Sequence, residues 1–442
     1  MNTPICDFLK AYAEKNTTRL HMPGHKGIGE IERFDLTEID GADSLYSASG
    51  IIKESEKNAG ELFGAHTFYS TEGSSHVIRA MIYLVSLYAK SRGEAPLILA
   101  GRNAHKTFVG AAALLDVSVD WIFPEDSSYL SCRVTPSDVE KRLRDAERLP
   151  TAVYLTSPDY LGGLADVRGI AEVCHRNGVL LLVDNAHGAY LKFLPESIHP
   201  VDLGADMCSD SAHKTLPVLT GGAYLHISKN ASSTFAENAK NALSLFGSTS
   251  PSYLILSSLD AANRYIADGY EEKLSRFIKR LDGVKNELCS HGFTLFGDEP
   301  MKLTVYAKSY GYTGDELAKH LLERCIVPEF YDPDFLVLMP TPRTTDAELD
   351  ALRLALTSLA KREEITELAP KICIPTRALT PREAILSECE AVAVESALGR
   401  TLAAITVGCP PAVPIVVSGE IIDETAIKCF NYYGITECSV VK

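Results

Sequence analysis

Lys214 stands where a lysine has little reason to be. It closes the tetrapeptide "SAHK" (Ser211–Lys214) and is followed by the largely apolar "TLPVLTGGAYLHI". A lysine is strongly hydrated and seldom buried without a partner. Its amine therefore either reaches solvent or has chemistry to perform. Earlier in the chain, Asp184 ends the apolar run of "LLLVDNAHGAY". In open parallel sheets ligands gather at the carboxyl ends of strands. An aspartate there is partly desolvated, and its pKa rises unless a cation or a donor faces it. Taken singly, Asp184 reads as a turn or cap residue and Lys214 as a surface lysine. Taken together they suit a pyridoxal 5'-phosphate site. The lysine amine condenses with the coenzyme's aldehyde, and the aspartate pairs with the protonated pyridine nitrogen.

Such a site needs a phosphate cradle. "STEGSSHVIRAMI" supplies Gly73, Ser74 and Ser75 ahead of a helical pattern. Backbone amides at a helix N-terminus, with two hydroxyls, suit a phosphate dianion; the plainer reading is an ordinary serine cap. His105, in "RNAHKT" after the strand-like "APLILA", could stack on a pyridine ring. His187 and His213 stand near the two key residues, and His213, beside the lysine, could touch phosphate or move a proton. Trp121, the single tryptophan, is expected to pack. No GxxxxGK[ST] occurs, which excludes a P-loop, and no GxGxxG follows a strand, which disfavours a nicotinamide enzyme.

Composition narrows the class further. The chain has 442 residues, enough for a large domain and one or two smaller ones. With 58 acidic against 43 basic residues it carries −15, and no basic run is present to neutralise phosphates, so no nucleic-acid partner is expected. The 11 cysteines are scattered without a CxxC. That predicts reduced thiols in the cytoplasm, with neither a disulfide frame nor a metal site. "MNTPICDFLK" lacks the pattern of a signal peptide. The longest apolar stretch, "LAAITVGCPPAVPIVVSG", is broken by prolines, so no membrane span is expected.

The elements that must hold these residues follow from periodicity. "SSHVIRAMIYLVSLYAKS" has helical spacing. "APLILA", "TAVYLTSP", "GVLLLVDNA" and "GGAYLHI" read as short buried strands. "VRGIAEVCHRN" between the second and third makes a strand–helix–strand unit, hence a parallel sheet. The first fifty residues read as irregular. A long helical zone covers about Pro251 to Leu288. Then come a strand at "MKLTVYAKS", a helix capped by Thr313, a strand at "FLVLMPTP" and a helix in "TTDAELDALRLALTSLAKR". The expected organisation is an arm (1–50), a cofactor-binding large domain (51–290), a small α+β domain (291–365) and a C-terminal extension (366–442).

Read in order, "LHMPGHKG", "FGAHTFYSTEGSSHVIRAMI", "RNAHKT", "TSPDYLGGLADVRGIA", "LLVDNAHGAY", "DSAHKTLPVLTGGAYLHI", "STSPSYLILSSLD", "YTGDELAKHLLERCIVPEF" and "CPPAVPIVVSGE" resemble the Orn/Lys/Arg decarboxylase family. These are bacterial pyridoxal-phosphate enzymes of the aspartate-aminotransferase fold, fold type I. The resemblance covers about residues 20 to 420 and is to the short members, with no wing domain ahead of "HMPGHKG". It implies an α/β fold: a mostly parallel large-domain sheet, a smaller α+β domain and a C-terminal extension. It implies that Lys214 is the Schiff-base lysine, Asp184 the pyridinium partner, His105 the stacking histidine and His187 a histidine close to the cofactor. Gly73, Ser74, Ser75, Ser211 and His213 match positions around the phosphate. Thr249 and Ser250 match a segment that reaches the neighbouring subunit's phosphate, so a homodimer or higher homo-oligomer is implied. Glu420 matches a glutamate near the substrate side chain and is expected to meet its distal cation.

The resemblance implies decarboxylation of arginine, lysine or ornithine to the matching amine, arginine being preferred and polyamine supply the setting. Lys214 or His213 would return the proton to Cα. The sequence departs from the family pattern at Tyr46 and Ala48 in "ADSLYSASG", at Glu72 and at Ser418. Two alternatives stand beside this reading. One is an aminotransferase or carbon–carbon lyase of the same fold, with Arg343 clamping an α-carboxylate. The other is a cofactor-binding relative without turnover.

Overall fold

The apolar runs read as strands are strands. The computed structural model describes residues 1–15, 17–124, 127–372, 375–405 and 411–442. Its main sheet is built from β1 (His66–Ser70), β2 (Leu97–Gly101), β3 (Ser118–Ile122), β4 (Ala152–Thr156), β5 (Leu180–Asp184), β6 (Met207–Asp210) and β7 (Ala223–Ile227). The strand order is β1-β7-β6-β5-β4-β2-β3. β2 pairs in parallel with β3, and β5 with β6. β7 runs antiparallel to both β6 and β1. β2, β6 and β7 are buried along their whole length, as strands covered on both faces must be. Sequence reading passed over β1 and β3. They are the two edges of the sheet and mix buried with exposed positions, so neither forms a continuous apolar run.

The helices of the first half are α1 (Pro4–Glu14), α2 (Ile51–Phe63), α3 (Gly73–Ser91), α4 (Lys106–Leu115), α5 (Pro136–Arg144), α6 (Val167–Arg176) and α7 (Ala212–Thr215). They are followed by α8 (Ser233–Ser244), α9 (Tyr253–Ala267), α10 (Tyr270–His291), α11 (Gly314–Leu322), α12 (Asp346–Thr357), α13 (Pro381–Leu386) and α14 (Glu424–Tyr432). None of them is long and apolar enough to cross a membrane.

Compactness groups the chain into two units, each interrupted in sequence, rather than into consecutive segments. The first comprises Met1–Pro96, Glu147–Leu155 and Val167–Lys273. The opening residues, read as irregular, begin here with α1. Pro4 sits at its start, and Ile5 and Leu9, one turn apart, are its buried face. Asp260 in α9 anchors it, accepting the amides of Ile5 and Cys6 at 3.0 Å each. A single apolar pair among charges and glycines gives little periodic signal. The long helical zone is two helices, parted at Asp268–Gly269, where Gly269 takes φ +70°.

The second unit comprises Leu97–Ala146, Thr156–Asp166 and Leu274–Lys442. It contains an antiparallel sheet of β8 (Thr294–Phe296), β9 (Leu303–Tyr306), β10 (Phe330–Tyr331) and β11 (Phe335–Leu338) in the order β10-β11-β9-β8. Thr313 and Thr345 start α11 and α12 with full capping boxes to Glu316 and Glu348, the pattern that satisfies two orphan amides at once. A second, three-stranded sheet has the order β12-β14-β13, from β12 (Cys389–Ala393), β13 (Leu402–Ala404) and β14 (Glu437–Val441). Val337, Leu402, Ile422, Phe430 and Val440 share one apolar core in this unit. The nine described cysteines are all free.

Candidate active site

The end of β5 and the turn after β6 bring the two key residues into one neighbourhood of the first unit. Asp184 is 3% exposed. Its Oδ2 accepts a hydrogen bond from the Tyr154 hydroxyl at 3.2 Å, and its Oδ1 from the Ala186 amide at 3.3 Å. Burial pushes its pKa from 3.8 up to about 6, against the opposing pull of the Lys214 cation and these two donors. Lys214 lies in α7, the single turn after β6, and its Nζ is 2.9 Å from His187 Nε2. An ammonium donating there makes His187 the acceptor, with the ring hydrogen on Nδ1. The site thus holds an amine beside an imidazole and a buried carboxylate ready for a cation.

The cradle forms at the start of α3. Gly73 takes φ +74°, a left-handed conformation that glycine adopts without a Cβ clash. Its amide donates to Gly221 O at 2.7 Å. Glu72, at the N-cap, makes no side-chain capping bond. A Cβ placed on Gly73 would meet nothing within 4 Å, so the space above this helix end is open. Ser74 and Ser75 lie in the first turn. The neighbouring Gly222 carbonyl accepts from the His213 amide at 3.2 Å and its Nδ1 at 3.0 Å. The Gly221–Gly222 turn thereby links the N-terminus of α3 to α7. Ser211, 1% exposed, caps α7 in position without a side-chain capping bond.

Thr249 and Ser250 are exposed, in a segment whose Ser248 amide donates to Glu72 Oε1 at 2.5 Å. That places the segment beside the start of α3 in the same chain. His105 and Glu420 belong to the second unit. His105 is the N-cap of α4; its Nδ1 accepts the Thr107 amide at 3.1 Å, which fixes the ring's orientation. Glu420, expected to meet a substrate cation, is already paired. Its Oε2 accepts from Arg102 at 2.8 Å and from the Val417 amide at 2.7 Å, with Arg102 and Glu420 each 3% exposed. Burial pushes the carboxyl up and the guanidinium down, and their mutual attraction opposes both shifts. Arg102 also donates to the Ile415 carbonyl at 3.1 Å. Arg343 is exposed.

Sequence reading missed Tyr154. It lies within "TAVYLT", a strand recognised correctly, but nothing local marks a tyrosine whose hydroxyl reaches the next strand's last residue. It also missed Asn185 and Asp210. Asp210 did leave a signal, being a charge inside the buried run "ADMCSDSA".

A mostly parallel seven-stranded sheet with a smaller C-terminal part is the architecture of the fold-type-I class of pyridoxal-phosphate enzymes. The Francisella novicida lysine decarboxylase LdcF shares the fold, with a TM-score of 0.82 at 19% identity over 100% of this chain and 81% of that one. The family model for the Orn/Lys/Arg decarboxylase major domain matches residues 3–298, and that for the family's C-terminal domain matches 362–439. The chain belongs to the Orn/Lys/Arg decarboxylase family and is a decarboxylase. Among curated relatives, arginine decarboxylase of Halalkalibacterium halodurans is 33% identical over 96% of this chain and 91% of its own length. The arginine decarboxylase of Bacillus subtilis is 31% identical over 96% and 92%.

The residues present fit the coenzyme of that class. An amine held by an imidazole, a buried carboxylate with a raised pKa, and an uncapped helix N-terminus under open space are the three partners it requires.

Proposed function

We propose that this chain binds pyridoxal 5'-phosphate through Lys214 and decarboxylates a basic amino acid, with arginine as its substrate. The observation that carries the reading is the convergence of the Lys214 amine, its His187 partner and the buried Asp184 in one unit. Both curated relatives described above are arginine decarboxylases, which supports arginine over lysine or ornithine. Lys214 would hold the coenzyme's aldehyde carbon and Asp184 its ring nitrogen. The first turn of α3, with Ser74 and Ser75, would hold its phosphate, with Ser211 and His213 beside it. Bound there, the coenzyme supplies an electron-accepting ring that stabilises the charge left on Cα as CO2 departs.

The chain's own groups do the rest. Asp184 must be ionised to keep the ring nitrogen protonated, and a cation at that position lowers its pKa in the required direction. His187 takes a hydrogen bond from Lys214 Nζ and so aims the amine; Lys214 is the proposed proton donor to Cα. His213 Nδ1 bonds the Gly222 carbonyl, which fixes the ring beside the start of α3, where the phosphate is proposed to sit. Glu420 is assigned to Arg102 as a structural partner. His105 is proposed to stack on the ring, Thr249 and Ser250 to serve a second subunit in a homodimer, and the cytoplasm to be the setting. The test is release of CO2 and amine from purified protein supplied with coenzyme and with arginine, lysine or ornithine in turn. Agmatine from arginine is expected, and no release from any of the three would remove the reading.

A further inference from the structure

Behind the Lys214 turn lies a buried polar cluster that the reaction above does not use. Asp210 ends β6, directly before Ser211. Its Oδ2 accepts from His199 Nε2 at 3.0 Å and stands 3.2 Å from His226 Nε2, whose N–H is not aligned for a hydrogen bond. Its Oδ1 accepts from Asn185 Nδ2 at 2.7 Å and Cys208 Sγ at 3.2 Å. His226, on β7, reaches on through Nδ1 to Thr67 Oγ1 of β1 at 2.9 Å. Asp210, His199, His226, Asn185 and Cys208 are each 0% exposed, and Phe63 packs on both imidazoles.

His199, Cys208 and Asp210 are close enough together to suggest a metal cage. The tautomer argues against it. The Val201 amide donates to His199 Nδ1 at 3.4 Å. The neutral ring therefore carries its hydrogen on Nε2 and donates it to Asp210, leaving no lone pair there for a cation. What remains is a brace. Burial alone would push the Asp210 carboxyl up, but the two imidazoles outweigh it and hold it below the usual carboxylate range. An ionised carboxylate in such a place is costly unless its acceptor sites are filled, and here both oxygens have donors.

The position of the brace gives it a consequence. Asn185 follows Asp184 directly; its backbone amide donates to Ser209 O at 2.9 Å and its side chain to Asp210. The turn after β5 is thus tied to the last two residues of β6, one step past the Asp184–Ser209 pairing. We propose that Asp210 is a positioning residue: by gripping Asn185 on one side and His199 and His226 on the other, it sets the spacing between Asp184 and Lys214. This rests on the proposed coenzyme reading.

The test compares Asp210→Asn and Asn185→Ala with Asp260→Asn. Asp260 is equally buried in the same unit but anchors α1 and Ser55. Three quantities are read: the unfolding midpoint, the dissociation constant of pyridoxal phosphate, and the pH midpoint of the lysine adduct's absorbance. D210N and N185A should weaken coenzyme binding about tenfold, about 1.4 kcal/mol, and shift the pH midpoint by about one unit. D260N should lower the unfolding midpoint and leave the other two at wild type. N185A keeps Asp210 and its histidines, so it decides the matter if D210N does not fold. Folded variants with wild-type binding and pH midpoint would overturn the proposal while leaving the coenzyme reading intact, as would D260N moving them equally. A wild-type protein that takes up no pyridoxal phosphate would overturn both.

Discussion

Replacing Asp184 by asparagine should make the coenzyme-free protein more stable at neutral pH. Burial raises this carboxyl from 3.8 to about 6, so the folded chain holds the proton more tightly than the unfolded chain. Stability from the protonated group is full below about pH 4 and is lost as pH rises through about 6. A tenfold change in proton affinity is worth about 1.4 kcal/mol. The rise from 3.8 to about 6 therefore costs the ionised protein about 3 kcal/mol at pH 7.5, and only about 1 kcal/mol at pH 4.5. Asparagine carries no charge and keeps the contacts, because the Tyr154 hydroxyl can accept where it now donates. Urea unfolding of coenzyme-free wild type and D184N across this range is the assay. The variant's advantage should widen by about 2 kcal/mol between about pH 4.5 and 7.5. Adding pyridoxal phosphate should stabilise wild type more than the variant. Equal stability at pH 7.5, or a gap that does not grow with pH, would refute the argument. The logic is that of a site held ready for a cation at the expense of the empty fold.

Removing one partner of the Arg102–Glu420 pair strands a buried charge. Arg102→Met should cost about 3–5 kcal/mol in urea unfolding, and Glu420→Leu on top of it should recover much of the loss. If Glu420 instead binds substrate, Glu420→Gln would raise KM and leave stability alone. Gly73→Ala forces a side chain into φ +74° and should lower stability by about 1–2 kcal/mol. Its Cβ also enters the open space above α3, so phosphate-dependent coenzyme affinity should fall further than in Gly93→Ala. Gly93 is also left-handed, with open space around it at the far end of the same helix; titration of each variant with the coenzyme checks this.

The legible parts of the fold were those with local causes. β4, α6 and β5 follow from two apolar runs and a helical pattern between them, and α11 from its Thr313 cap. The Lys214–Asp184 pair was legible because each residue interrupts or ends an apolar stretch. The features that escaped are made by tertiary contact. Tyr154 meets Asp184 across neighbouring strands, and Asp210 meets His199, His226 and Asn185 from three other segments. Glu420 shows the reverse case. Its match to a family pattern suggested a substrate cation, whereas the fold supplies Arg102, which is remote in sequence.

The proposed chemistry begins at the amine of Lys214. Reducing the coenzyme-loaded protein with borohydride and mapping its peptides should place the pyridoxyl label on Lys214 alone, and Lys214→Ala should carry none. A label on another lysine, or no label on a protein that still releases agmatine, would contradict it.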